Sequence, residues 1–181
     1  MSRLLSSTAF RLAAATFIVF NLNLRSVSSA DTFPTRYLPI AMLSGEGFHL
    51  DSFEFLRDSR YPLPGGDNDG LPHYLQLRRG HWVSTYPVMP AILALPVYAL
   101  PVALGLTRGP AAAPGSFSRT EVMGTMLSKI AASLATAVSV ALVFVALVRI
   151  TDRRWALWSA IAYAVATSAW AVSSQGAWQT S

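Results

Sequence analysis

Residues 130–148 read IAASLATAVSVALVFVALV, an unbroken run without a charged side chain. As an α-helix rising 1.5 Å per residue, this run would be about 28 Å long. The hydrocarbon core of a bilayer is about 30 Å thick. The stretch therefore predicts a helix that crosses a membrane.

Apolar stretches on both sides of this run suggest that the whole chain belongs in lipid. Of the 181 residues, 52% are hydrophobic and 13% are charged, and the mean hydropathy is +0.40. This composition is too apolar for an ordinary soluble domain. The predicted fold class is all-α: a polytopic transmembrane helix bundle with a long external loop, residues 25–87, that contains short interfacial helices. The predicted spans are about 5–24, 88–106, 128–149 and 155–173.

The first predicted span also has the features of a signal peptide. Arg3 and Arg11 would form its basic region, and Ser28-Ser29-Ala30 offers the small residues that a signal peptidase reads. Asn21 and Asn23 prolong the segment beyond a compact apolar region, and later spans usually accompany an uncleaved first helix. We therefore predict that the helix is retained.

Charge indicates the orientation and the partners. Arg3 and Arg11 place the N-terminus in the cytoplasm and the 25–87 loop outside. Arg153 and Arg154 lie in a turn that helix parity would also place outside, so the orientation of that turn stays open. The net charge is +5, but the sequence contains no basic run typical of a nucleic-acid arm. We expect an integral membrane protein, in contact with membrane lipid and not with nucleic acid.

The ionisable side chains are concentrated in the loop between the first two predicted spans. Seven of the nine acidic residues and all three histidines lie there, the other two acids being Glu121 and Asp152. Segments 36–43 (RYLPIAML) and 50–56 (LDSFEFL) are predicted to be short interfacial helices. The run PLPGGDNDGLP at 62–72 is dense in turn formers and predicts a bend.

Four loop residues are candidates for a functional site. Asp31, just beyond the first span, is placed either to act as a general base or to cap a helix. Arg36 is suited to hold a phosphate through paired hydrogen bonds, or to anchor a helix to lipid phosphates. Tyr37 stands beside it. Tyr86 enters the second span, where it would line a substrate site or belong to an aromatic belt.

Neither a metal nor a cofactor is expected. Asp67-Asn68-Asp69 matches the metal-binding triplet of nucleotide-sugar transferases, but the chain has no room for the soluble domain that those enzymes use, and we interpret it as a turn. His49, His73 and His81 are widely spaced and do not form a zinc motif. The chain contains no cysteine, so thiolate chemistry is excluded.

Three sequence elements together resemble the membrane-embedded GT-C glycosyltransferases, in particular bacterial relatives of protein O-mannosyltransferases and of the lipid A aminoarabinose transferase. The first is Asp31 followed by TRYLPIAMLSGEGFHLD at 35–51, and the second is STYPVMPAILALPVYA at 84–99. The third is RITDRR at 149–154 followed by WAVSSQGAWQ at 170–179. Many relatives carry a second acid where this chain has Thr32, and Lys-Pro-Pro where it has Tyr86-Pro87-Val88.

The resemblance implies a membrane glycosyltransferase that moves a sugar from a polyprenyl-phosphate donor to an acceptor on the external face, with inversion. It assigns the catalytic base to Asp31 and substrate binding to Arg36, Tyr37 and Tyr86. The donor sugar and the acceptor do not follow from the residues. The alternatives are a polytopic transporter or flippase-like protein and a structural membrane protein. Because the chain stops just after an apolar segment, without a basic residue, residues 1–181 are expected to be the N-terminal transmembrane part of a longer protein.

Overall fold

The computed structural model describes residues 2–22, 32–57, 72–109, 116–167, 169 and 173. Their main elements, in chain order, are five α-helices and two β-strands: α1 (Ser2–Leu22), α2 (Phe33–Leu43), β1 (Leu75–Arg78), β2 (His81–Ser84), α3 (Met89–Ala103), α4 (Arg119–Leu147) and α5 (Arg153–Ala166). The chain forms two compact units, which we describe separately. One comprises residues 1–27 and 129–176, and the other residues 28–128 and 177–181.

The first unit packs α1, the greater part of α4 and α5 around an apolar core. Three alanines of α5 recur at every fourth position, so they line one face of that helix and are fully buried. Residues this small allow helix backbones to approach closely. The larger side chains of the core come from the other two helices. The core residues are Leu12, Phe20, Ala137, Val140, Phe144, Ala156, Ala160 and Ala164.

In the second unit, α2 is enclosed along its whole first part. Every residue from 32 to 41 is buried, and α2 packs against α3. The hydroxyl of Tyr98 on α3 lies 3.0 Å from the carbonyl oxygen of Arg36 and 3.2 Å from that of Gly124, and its single proton is shared between them. One fully buried side chain of α3 thereby contacts the backbones of both α2 and α4.

The bounds of α3 and α4 have clear local causes. After α3, Gly105 adopts a positive φ of 67°, its N–H reaches the carbonyl of Val102, and the next N–H, of Leu106, reaches that of Pro101. These are the two bonds of a Schellman ending. At the start of α4 the Ser118 N–H donates to the Glu121 carboxylate, and the Glu121 N–H donates to the Ser118 hydroxyl. This reciprocal pair is a capping box.

The polar loop contains a β-hairpin, which the all-α prediction does not include. Strands β1 and β2 pair antiparallel with Arg78 opposite His81. The two connecting residues, Arg79 and Gly80, both have positive φ, 53° and 83°. Such a two-residue turn matches the natural twist of paired strands. The predicted fold class is therefore wrong about this segment, which forms a small antiparallel sheet.

The predicted polytopic bundle is also wrong for the part of the chain that the structure describes. There, α4 alone is both long and apolar enough to cross a membrane. Helix α3, Met89–Ala103, is apolar but reaches only about 22 Å at 1.5 Å per residue. This length is short of the roughly 30 Å of hydrocarbon. Helix α5 has 14 residues and begins with two arginines, so it also falls short of the roughly 20 apolar residues of a membrane span.

The predicted interfacial helices also differ from the structure. Segment 36–43 lies within a helix, but its first six residues are buried in the protein and do not form a surface. Segment 50–56 forms turns followed by a short 3₁₀ helix, Glu54–Arg57. Within segment 50–56, the side chains of Leu50, Phe53 and Leu56 are buried. The apolar side chains that suggested contact with lipid instead pack inside the second unit.

We expect the substitution Gly124→Ala to destabilise the protein. A Cβ at this position would lie 2.7 Å from Cε1 and 3.1 Å from Cδ1 of the Tyr37 ring, and overpacking of this kind costs about 1–3 kcal/mol. Without the clash, alanine in a helix would stabilise by about 1 kcal/mol relative to glycine. The sign of the change in the free energy of unfolding, measured in detergent, is therefore diagnostic, and a more stable variant would contradict the close approach of α2 to α4.

Candidate functional site

The predicted site residues occupy different parts of the second unit. Asp31 lies outside the described residues and directly precedes Thr32, the first described residue of this segment. Arg36 and Tyr37 lie on α2, and Tyr86 lies between β2 and α3. The structure brings Arg36 and Tyr37 together on one helix, whereas Tyr86 packs edge-to-face with His73 at 6.5 Å between ring centroids.

Arg36 is buried, with 4% of its surface exposed. Its Nη2 donates to the Thr32 hydroxyl at 2.9 Å, and its Nη1 donates to the Thr125 hydroxyl of α4 at 3.1 Å. The guanidinium carbon lies 5.2 Å from the centroid of the Phe33 ring, a favourable cation–π distance. No carboxylate pairs with this guanidinium among the residues that the structure describes. In the described part of the chain, the groups that contact this positive charge are all neutral.

The environment of Arg36 retains capacity for further hydrogen bonds. Within the described residues its Nε–H has no hydrogen-bond partner, and the neighbouring hydroxyl of Thr35 also has none. A buried donor left unpaired costs free energy, more so when it is charged. An anionic oxygen supplied by a ligand would satisfy the guanidinium better than the hydroxyls do.

Tyr37 contributes an aromatic wall to the same region. Its ring is 1% exposed and lies 5.4 Å from the Phe53 ring and 5.0 Å from the Phe55 ring, between centroids. Both distances are typical of favourable aromatic pairs. The ring thus packs segment 53–55 onto α2, and this packing fixes the position of the neighbouring Arg36.

A second group of chemically active side chains lies at the edge of the hairpin. His49 forms an antiparallel bridge with Val83 of β2, and its ring stacks on that of His81 with centroids 4.1 Å apart and planes 9° apart. Nδ1 of His81 lies 2.7 Å from a carboxylate oxygen of Asp51. The other carboxylate oxygen accepts the Trp82 N–H at 2.8 Å.

The Asp51 carboxylate is stabilised in its ionised form. Partial burial opposes ionisation, but the hydrogen bonds from the Trp82 N–H and from His81, together with the charges of His81 and His49, lower the pKa of Asp51 below its ordinary value. Asp51 therefore carries a negative charge at neutral pH. This charge lies in direct contact with one imidazole ring and close to a second.

Sequence reasoning did not identify the partners of Arg36 or the grouping of His49, Asp51 and His81. The two histidines are separated by more than thirty positions, and the metal motifs that a sequence displays have much shorter spacings. Thr125 and Gly124 lie in an ordinary helical run. The only available signals were the isolated glycine in that run and the tight hairpin turn at Arg79-Gly80.

No protein-family model, no curated protein and no solved structure matches this chain.

We expect Thr125→Val to destabilise the protein through Arg36. The change removes the acceptor of Nη1 and leaves a further N–H of a buried cation unpaired, at a cost of about 1–3 kcal/mol. In an Arg36→Met background the same change should cost much less, because no guanidinium remains to be satisfied. Unfolding measurements on the two single variants and the double variant give this coupling directly.

The matched control is Thr136→Val on the same helix. The Thr136 hydroxyl donates to the carbonyl of Ala132 four residues back, as Thr125 does to Glu121. It therefore reports the loss of the local bond alone. Equal costs of Thr125→Val in the wild-type and Arg36→Met backgrounds would show that Thr125 does not support the guanidinium.

Proposed function

We propose that the protein is a membrane glycosyltransferase that moves a sugar from a polyprenyl-phosphate donor to an acceptor at the external face of a bacterial plasma membrane. The observation that carries the proposal is the buried guanidinium of Arg36, which no described carboxylate neutralises and whose Nε–H is unpaired. A phosphate group is the ligand that such a guanidinium binds best, since its oxygens accept paired hydrogen bonds.

The position of Arg36 relative to residue 31 supports the same proposal. Its Nη2 is bonded to the side chain of Thr32, the residue directly after Asp31. A donor phosphate on this guanidinium would therefore lie next to the segment that carries the proposed base. Where many of the enzymes that the sequence resembles have an acid at the position of Thr32, this chain has a hydroxyl, which leaves the charge of Arg36 for a substrate.

The proposed reaction is a single displacement at the anomeric carbon. The Asp31 carboxylate takes the proton of the acceptor hydroxyl as its oxygen forms a bond to the anomeric carbon. The bond from that carbon to the phosphate oxygen breaks, and the polyprenyl phosphate leaves with the electron pair. Arg36 stabilises the negative charge that grows on the leaving phosphate. Attack opposite the leaving group inverts the anomeric configuration.

Helix α4 supports a location in the membrane. Seven large apolar side chains on it are at least one-third exposed and are spaced mostly by four residues, so they form an apolar face that winds around the helix along its length. Such an exposed apolar surface is buried against lipid or protein. The exposed rings of Trp155 and Trp158 beside Arg154 suit the boundary between hydrocarbon and water. The seven residues of the face are Val122, Met126, Ile130, Leu134, Val138, Leu142 and Val145.

A transporter or flippase-like protein is the second candidate, and Lys129 is the residue that favours it. This lysine is buried within α4, with 8% of its surface exposed, and ionisable groups inside membrane helices commonly belong to transport pathways. It lies at the boundary of the uncharged run 130–148, however, and not within it. The buried guanidinium of Arg36, by contrast, is better accounted for by binding of a phosphate-linked substrate.

The first test concerns Asp31. In the full-length protein Asp31→Asn should reduce sugar transfer from a polyprenyl-phosphate sugar by about 100-fold to 10,000-fold, the usual cost of removing a general base. Asparagine retains the capacity to cap a helix, so stability should change by less than the roughly 1 kcal/mol that a lost cap costs. Transfer would be measured with a labelled donor in membrane vesicles.

Asp152→Asn is the matched control. Asp152 is exposed and its side chain makes no capping hydrogen bond to α5, so this variant should transfer sugar at the wild-type rate. Wild-type turnover by Asp31→Asn would remove the catalytic assignment. Equal loss in both variants would indicate a non-specific effect of the changed charge and would contradict the assignment as well.

The second test concerns the membrane. The chain contains no cysteine, so Ala141→Cys and Gln76→Cys each introduce a single thiol. We expect a membrane-impermeant maleimide to label Gln76→Cys rapidly in intact cells, because Gln76 is an exposed residue of β1. Ala141→Cys, in the middle of the apolar run, should react slowly. Rapid labelling of Ala141→Cys, or labelling of Gln76→Cys only after permeabilisation, would contradict the proposed arrangement.

A further inference from the structure

A short segment pairs with the hairpin on the free side of β2. The Leu50 N–H donates to the carbonyl oxygen of Trp82 at 2.8 Å, and His49 is bridged to Val83. Strand β1 occupies the opposite edge of β2. His49 therefore forms a single bridge with β2 on the side opposite β1.

This pairing explains why two histidines that are distant in sequence come together. Alternate residues of a strand point to the same face, so the side chains of His81 and Val83 share one face of β2. His49 lies directly opposite Val83, and a diagonal neighbour on the same face is within reach of a ring side chain. The stacked rings of His49 and His81 follow from this register.

Asp51 completes the group from two residues beyond His49. Its carboxylate is held in place by the Trp82 N–H and by His81. The potential ligand atoms of the three side chains all lie within 4.8 Å of one another. His49 and Asp51 are half-buried and His81 is exposed, so the group is both positioned by the sheet and accessible from solvent.

We propose that His49, Asp51 and His81 form a binding site for a divalent transition-metal ion, and that the ion is Zn²⁺. Two imidazoles and one carboxylate are ligands that zinc commonly takes, whereas Mg²⁺ and Ca²⁺ prefer oxygen ligands alone. In tetrahedral zinc sites the ligand atoms lie about 3.3 Å apart. To reach this separation around one ion, the two imidazole rings would turn out of their stacked arrangement.

The ion would join two segments that are distant along the chain. His49 and Asp51 lie on one side of it and His81, thirty positions after Asp51, on the other. Because an unfolded chain does not hold these three ligands together, the free energy of binding adds to the stability of the folded protein. Three protein ligands leave the fourth tetrahedral position to water. This site does not depend on the proposed sugar transfer.

The experiment uses the full-length protein, purified in detergent, stripped with a chelator and titrated with Zn²⁺ against a competing chromophoric chelator. We expect one Zn²⁺ per chain and an increase in the unfolding midpoint on binding. Replacement of the zinc by Co²⁺ should give the intense visible bands of a tetrahedral site. A wild-type protein that binds no ion, or whose Co²⁺ spectrum is that of the hydrated ion, would overturn the proposal.

The variants His49→Ala, His81→Ala and Asp51→Asn test each ligand. Each should weaken Zn²⁺ binding by at least about 10-fold. Loss of a residue that only hydrogen-bonds to a metal ligand already weakens binding by about 10-fold to 100-fold. The matched control is His73→Ala, a third histidine of the same loop that does not belong to this group, and it should bind zinc as the wild type does.

The metal-free stability of every variant is measured in parallel. A variant that unfolds without metal is replaced by the corresponding glutamine variant, which keeps a polar side chain. Unchanged binding in Asp51→Asn would leave only two histidine ligands, too few for the proposed site, and would overturn it. Equal loss of binding in His73→Ala and His81→Ala would indicate non-specific binding by surface histidines, with the same consequence.

Discussion

A charged group removed from water must find acceptors within the fold, because even after relaxation the transfer costs several kcal/mol. The guanidinium of Arg36 is such a group, and much of the second unit is arranged around it. Thr32 and Thr125 accept its hydrogen bonds, Phe33 lies beside its positive charge, and the Tyr98 hydroxyl contacts the backbone of the same residue. A segment of α2 is thereby fixed between α3 and the first turns of α4.

This arrangement requires α2 and α4 to approach closely, which a small residue permits. At Gly124 even one added carbon atom would overlap the Tyr37 ring. Within the first unit, the three buried alanines of α5 have the same physical role, with Phe144 of α4 in the same core. In both units the gain comes from van der Waals contact between closely packed helices.

In the described part of the polar loop, segments 49–51 and 75–84 are organised by strand pairing, and α2 is buried in the protein. A short turn with two positive φ values sets the register of β1 against β2, and this register determines which side chains of β2 share a face. Segment 49–51 then pairs with the other edge, and His49 and Asp51 meet His81. The chemistry at this edge follows from backbone geometry, since no local pattern in the sequence unites the three residues.

The amino-acid sequence by itself determined the apolar run 130–148, of which all but the last residue lies within the long helix α4, and the concentration of ionisable groups between residues 25 and 87. Length and hydropathy of a continuous segment are local properties, so they can be read without a structure. Whether the shorter apolar segments span a membrane was not a local question. Capping at Gly105 ended α3 early, and burial of α2 among protein side chains replaced its predicted contact with lipid. Likewise only the tertiary structure decided that Arg36 is enclosed and that His49, Asp51 and His81 form one group, because contacts between distant segments depend on packing and strand register, which no spacing in the sequence encodes.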